Sequence, residues 1–231
     1  VTIRRGGGIG SNGNNDLAGF PKDRFYLYQA RWRPELRMAH LLPHWNWPGR
    51  KGMITPVHVF TTGEEAELFL NGKSLGRRKK AAFEYRIRWD DVLYEPGTLE
   101  VVTYRNGKYW ASEKMSTTGS PSGIRLQADR NIISANGRDL SFITVRVTDE
   151  KGQTVPDAAQ LIRFRIEGPG EILATDNGDP ADLVSFSSKE RNTYGGMALV
   201  IVRSDAGKSG TIQLTAVADG LQTATIRLQT K

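Results

Sequence analysis

Residues 44–77, HWNWPGRKGMITPVHVFTTGEEAELFLNGKSLGR, decide the fold. Val57, Val59 and Thr61 alternate with His58 and Phe60, and that period of two is the pattern of a β-strand. Leu68 and Leu70 alternate around Phe69, and Asn71-Gly72 then turns the chain. Asn-Gly between two alternating segments predicts a hairpin, because a type I′ turn needs positive φ at both central residues. Just upstream, Trp45 and Trp47 stand two residues apart in a loop that ends in Pro48-Gly49.

Working outward, Tyr85, Ile87 and Trp89 form another period-2 set, and Leu99, Val101 and Thr103 lead to a second Asn-Gly at residues 106–107. About seven short strands between residues 41 and 118 suit a small sandwich. Upstream, residues 16–33 hold the one helix the sequence predicts. Pro21 suits a first helical turn and Asp23 adds favourable charge there. Phe25, Leu27, Tyr28 and Trp32 fall near a helical spacing, and Pro34 opposes continuation. Residues 1–15 are rich in Gly and Asn and read as a flexible segment. Their Gly run lacks the Gly-Lys-Ser/Thr ending of a phosphate loop.

Residues 119–123, GSPSG, read as a linker. Beyond it the β pattern resumes. Ile143, Val145 and Val147 alternate, as do Ile162, Phe164 and Ile166, then Ile212, Leu214 and Ala216, then Ala224, Ile226 and Leu228. Residues 197–202 are continuously apolar and suit a central strand buried on both faces. Residues 124–231 therefore read as a second sandwich. The expected organisation is a flexible segment over 1–15, a helix and linker over 16–40, a first sandwich over 41–118, a linker over 119–123 and a second sandwich over 124–231.

At 231 residues the chain has the length for two such domains. It has no cysteine, so disulfides, thiolate metal sites and cysteine nucleophiles are excluded together. No 18-residue apolar run predicts a membrane span. No apolar core segment of a signal peptide opens the chain, so either export is absent or the chain is a piece of a longer protein. The net charge of +7 sits in the first half: residues 1–120 hold 19 Lys/Arg and 12 Asp/Glu, residues 121–231 hold 13 of each. Lys73, Arg77, Arg78, Lys79 and Lys80 carry part of the excess. A patch for nucleic acid or an acidic glycan is one reading. The favoured one is a solvated hairpin whose edge strand uses Lys and Arg against edge-to-edge pairing.

The segment 44–77 resembles the immunoglobulin-like sandwich behind the catalytic barrel of many bacterial glycoside hydrolase family 2 enzymes, the β-galactosidase group. Gly19-Phe20-Pro21-Lys22-Asp23 resembles the last helix of that barrel. In the second half, ADRNIISANGRDLSFITVRVTDEKGQTVPDA (128–158), ATDNGDP (174–180) and GGMALVIVRS (195–204) resemble the last immunoglobulin-like domain of the same enzymes. These strings occur in the family's order. The resemblance implies an all-β chain of two tandem immunoglobulin-like sandwiches with a short N-terminal helix. It implies an accessory C-terminal role without the barrel, in a parent that hydrolyses terminal β-galactosides and is periplasmic or secreted. The catalytic barrel is then the expected partner. Carbohydrate and a second copy are further candidates, whereas nucleic acid and membrane are not expected.

Glycoside hydrolysis needs two carboxyl groups flanking one bond. No position here matches either glutamate motif of the family, and the adjacent pairs Glu64-Glu65 and Asp90-Asp91 do not substitute, since neighbours on a strand point to opposite faces. No Gly-x-Ser-x-Gly elbow is present. His40, His44 and His58 lack metal-ligand spacing, with Pro43 between the first two. Asp176, Asn177, Asp179 and Asp182 offer oxygens in the manner of a calcium loop but lack its spacing, and Asx turns explain them equally. No catalytic residue, metal or cofactor is therefore expected. Trp45 and Trp47 are the candidate substrate-binding residues. Their faces could stack on sugar, or they could wedge beneath the helix of residues 16–33. Trp89 and Trp110 lie in strand patterns and read as core. Two further readings are a carbohydrate-binding module using Trp45 and Trp47, and an invasin-like structural or adhesion pair. The latter is suggested by the Val-Pro-Asp-Ala turn at 155–158 after Lys151-Gly152.

Overall fold

The computed structural model describes residues 13–231, so the flexible reading of residues 1–12 lies outside the described residues. Among the described residues the fold is all-β, two immunoglobulin-like sandwiches with one short helix. The described chain divides into two compact units: residues 21–117 with 13–15, and residues 118–231 with 16–20.

In the first unit, helix α1 (Asp23–Trp32) precedes seven strands: β1 (Ala39–Leu42), β2 (Val57–Thr61), β3 (Glu65–Leu70), β4 (Lys73–Lys79), β5 (Ile87–Trp89), β6 (Thr98–Arg105) and β7 (Lys108–Ser116). One sheet has the order β1-β2-β5 and the other β4-β3-β6-β7, with every pairing antiparallel. Leu68, Leu99 and Val101 from one sheet meet Val57, Val59 and Trp89 from the other. Burying each such aliphatic side chain stabilises the fold by roughly 1.5–3 kcal/mol. The hairpin at Asn71-Gly72 forms as its sequence requires, with φ of 51° and 79°. Asn71 does more than turn: its Oδ1 accepts from the Thr98 N–H at 2.8 Å and its amide donates to the Pro96 carbonyl.

Three details depart from the sequence pattern. The helix starts at Asp23, not near residue 16. Residues 16–20 form a turn instead: Asp16 Oδ1 accepts the Phe20 N–H at 2.8 Å, and Gly19 takes a φ of 84°. A short carboxylate beside a backbone donor competes with helix in this way. Strand β2 is buried on both faces rather than one. His40 of β1 stacks between Tyr26 of α1 and Phe60 of β2, which closes the face that alternation would leave to solvent. Tyr85 lies outside β5 and is exposed.

The second unit holds nine strands: β8 (Gly123–Ala128), β9 (Ile132–Ile133), β10 (Leu140–Thr148), β11 (Leu161–Glu167), β12 (Gly170–Asp176), β13 (Glu190–Asn192), β14 (Met197–Ser204), β15 (Gly210–Val217) and β16 (Ala224–Thr230). Its sheets run β12-β14-β10-β8 and β13-β11-β15-β16-β9. Strand β9 pairs in parallel with β16, and the others pair antiparallel. Ile143, Val145 and Val147 face Ile162, Ile212 and Leu214 across the core. The apolar run 197–202 forms the inner strand β14, as its composition predicts.

Candidate functional site

The Pro/Gly loop after β1 separates the two tryptophans. Trp45 is 1 % exposed and belongs to the core of the first sandwich. Its ring centroid lies 5.0 Å from that of Tyr94, and its Nε1–H donates to the Glu95 carbonyl at 2.9 Å. Both faces are therefore enclosed, and Trp45 offers no stacking surface. Its ring and hydrogen-bond partners are Tyr94 and Glu95, from the loop after β5, and Thr117, whose hydroxyl donates to the Trp45 carbonyl at 2.7 Å. Trp47 is half-buried. Its ring stacks on His44 at 4.2 Å, and its Nε1–H donates to the His44 carbonyl at 2.7 Å. The Tyr94 hydroxyl accepts the Trp47 backbone N–H, so one aromatic of the core sets the loop that presents the other.

Elsewhere the acidic pairs are spent on the surface. Glu65 pairs with Arg77 and Asp91 with Arg78, while Glu64 accepts the Asn106 N–H. The basic hairpin is an edge strand, β4, whose Arg77 also lies over the Tyr104 ring at 3.6 Å. Trp89 is core, whereas Trp110 is half-buried between the guanidinium groups of Arg37 and Arg105, each 5.0 Å from its centroid.

The Asx-rich loop of the second unit is closed by its own hydrogen bonds. Asp176 Oδ1 accepts from the Asn177 and Gly178 N–H groups, Asn177 Oδ1 from Asp179, and Asp179 Oδ1 from Ala181. Arg191, 1 % exposed, holds the loop from inside. It pairs with Asp182 at 3.1 Å and donates to the carbonyls of Thr175, Val184 and Ser185. Burial opposes ionisation of Asp182, but the Val184 N–H and Arg191 outweigh it and hold its carboxyl below the usual range. Nothing in the local pattern around Glu190-Arg191-Asn192 signals this; only the burial of an arginine does.

A second cluster was equally invisible. His40 Nε2 lies 2.9 Å from Asp23 Oδ1, and Nδ1 lies 3.7 Å from Glu113 Oε1. Glu113 also accepts the Leu41 backbone N–H. Burial alone would lower the His40 pKa, but the two carboxylates outweigh it and push it up to about 9. The imidazolium therefore clips α1 to β1 and β7. The three residues lie far apart in sequence, so no spacing rule finds them. His58, in contrast, is held below its usual pKa by burial and by Arg86.

A cavity of 690 Å³ opens beside α1, lined among others by Leu27, Arg31, Lys80, Phe83 and Tyr85.

This architecture defines a class: tandem immunoglobulin-like sandwiches of the accessory kind found in large carbohydrate-active enzymes. Residues 124–227 match glycoside hydrolase family 2 C-terminal domain 5, and residues 52–111 match a domain of unknown function, DUF4982. The chain belongs to glycoside hydrolase family 2, of which it carries the C-terminal immunoglobulin-like domains. It is 42 % identical over 214 residues to a β-galactosidase of Bacteroides ovatus, a match covering 92 % of this chain and 25 % of that protein. It is 26 % identical over 221 residues to a β-glucuronidase of Formosa agariphila, covering 95 % of this chain and 22 % of that protein. Among solved structures, a β-glycosidase from Bacteroides vulgatus superposes with a TM-score of 0.88 at 30 % identity, over 94 % of this chain and 28 % of that one. A family 2 member from Bacteroides cellulosilyticus gives 0.88 at 34 % identity, over 94 % and 32 %. The chain thus spans about a quarter of the length of the curated relatives it matches.

Proposed function

We propose that this chain is the non-catalytic C-terminal region of a β-galactosidase-like enzyme and packs on that enzyme's catalytic barrel through α1. The observation that carries the reading is the helix itself. It includes Phe25, Tyr26, Leu27, Tyr28 and Trp32, yet buries none of its residues. Tyr28 and Trp32 stack on each other at 4.7 Å while both stay exposed. A short helix gains most of its stability from a packed face, so an aromatic face of this kind calls for a partner.

The test uses the 231-residue chain together with the catalytic region of the Bacteroides ovatus relative. Added in trans, that region should slow amide exchange across residues 23–32, and Trp32→Asp should abolish the effect. Unchanged exchange would sink the docking role. The chain alone should leave an aryl β-galactoside intact; turnover that survives purification and exceeds a buffer blank would refute the accessory role.

Two smaller proposals accompany this one. Trp47 lines the approach to the barrel's active site, since it is the partly exposed member of the pair. Residues 119–123 form the boundary between two independently folding sandwiches, and limited proteolysis there should release a stable fragment starting near residue 124.

A further inference from the structure

We infer that the cavity beside α1 is a binding site for a carboxylated sugar ring, of the hexuronate class. Leu27, Ala30 and Arg31 line it from one face of α1, at i, i+3 and i+4, and Pro34 lines it just past the end of the helix. Thr61, Thr62 and Lys80 also line it, as do Phe83, Glu84 and Tyr85 from the segment after β4. Its 690 Å³ lies within the range of small-molecule sites.

Lys80 is the partner for the carboxylate. The half-buried ammonium carries three donors. One goes to the Thr61 carbonyl at 2.7 Å, and among the described residues this is its one acceptor. Burial lowers the Lys80 pKa, and Arg31 and Arg105 lower it further, with Glu64 opposing. Among the lining residues two cations, Lys80 and Arg31, meet one carboxylate, Glu84. One positive charge is left over, and one carboxylate on the two spare ammonium donors neutralises it.

The ring finds its partners in Phe83 and Tyr85. Phe83 is 99 % exposed and holds a φ of 66°, a conformation that a bulky side chain rarely adopts. Strain of that kind is retained at ligand clamps. Tyr85, also exposed, stands two residues away. Two open aromatic faces at the mouth of a cationic cavity suit the partly positive C–H face of a pyranose. Tyr28 and Trp32 project from a different face of α1, so docking through them and filling the cavity are separate events.

The experiment titrates the 231-residue chain with glucuronate, galactose and acetate, followed by calorimetry and amide shifts. Glucuronate should saturate with a Kd on the order of 1 mM and at least about tenfold tighter than either comparison ligand. Lys80→Met should weaken it about tenfold, as should Phe83→Gly, which also relieves the backbone conformation and so keeps the fold. Equal binding of acetate would overturn the ring, and equal binding of galactose would overturn the carboxylate. No saturation by glucuronate, or saturation indifferent to both substitutions, would overturn the site.

Discussion

Asp23, in the first turn of α1, and His40, on β1, are joined by a 2.9 Å contact between Oδ1 and Nε2, with Glu113 of β7 on the ring's other nitrogen. The clip needs the imidazolium. Its folded pKa of about 9 stands above the unfolded value of 6.5. A group raised in this sense contributes stability that is fully present below the unfolded pKa and is lost as pH rises through the folded one. The expected contribution is on the order of 3 kcal/mol below pH 6.5. Stability of the first sandwich should therefore fall between about pH 6.5 and pH 9, and the protection of α1 amides, measured against their intrinsic exchange rate at each pH, should fall with it. His40→Gln should flatten that dependence. A profile with the same slope in wild type and variant would place the titration elsewhere.

Trp45 and Trp47 should part company on truncation. Trp45 is enclosed by the core and its indole N–H is bonded, so Trp45→Ala leaves a cavity and should cost about 3–5 kcal/mol. Trp47 keeps one side toward solvent and stacks on His44, so Trp47→Ala should cost less than half of that. Urea melts of both variants decide it. Equal losses would mean that the loop is as tightly packed as the core.

Much of this fold was legible in the sequence because its determinants are local. Asn71-Gly72 and Asn106-Gly107 impose their turns through backbone sterics alone, and all four residues have positive φ. The apolar run of β14 carries its own burial signal. What was not legible depends on distant partners. Arg191 reads as one more strand arginine until Asp182 and three carbonyls close around it. His40 needs Asp23 and Glu113, from a helix and a far strand. Trp45 and Trp47 look alike in the sequence because their difference lies in Tyr94 and Glu95, some fifty residues on.

Arg191 should be among the costliest side chains to remove from the second sandwich. Arg191→Met keeps much of the apolar volume but removes the guanidinium donor from the carbonyls of Thr175, Val184 and Ser185 and leaves the Asp182 carboxylate with the Asn177 amide and the Val184 N–H in place of its ion pair. Breaking a buried pair by removing one partner costs about 3–5 kcal/mol. Asp182→Asn keeps an acceptor and should cost less. Thermal melts of the 231-residue chain should show the loss in the unit holding residues 118–231. A neutral Arg191→Met would mean that the carbonyls find water on their own.

Gly178 offers a sharper test, because two causes can be separated there. Its φ is +79°, and a Cβ built on it would stand 2.4 Å from the Asp16 carboxyl carbon. Asp16 cannot simply swing away, since its Oδ1 holds the Phe20 N–H. Gly178→Ala therefore meets both an unfavourable backbone conformation and a clash. The backbone part should cost about 1 kcal/mol, as for other non-glycine residues at positive φ. The clash adds to that in the single variant and disappears when Asp16 is also shortened to Ala. In a double-mutant cycle the pair should be coupled: Gly178→Ala should cost clearly more with Asp16 present than with Asp16→Ala, by about 0.5 kcal/mol or more. Additive losses would mean that the 16–20 turn moves aside freely, and that Asp16 does not fix the position of this loop.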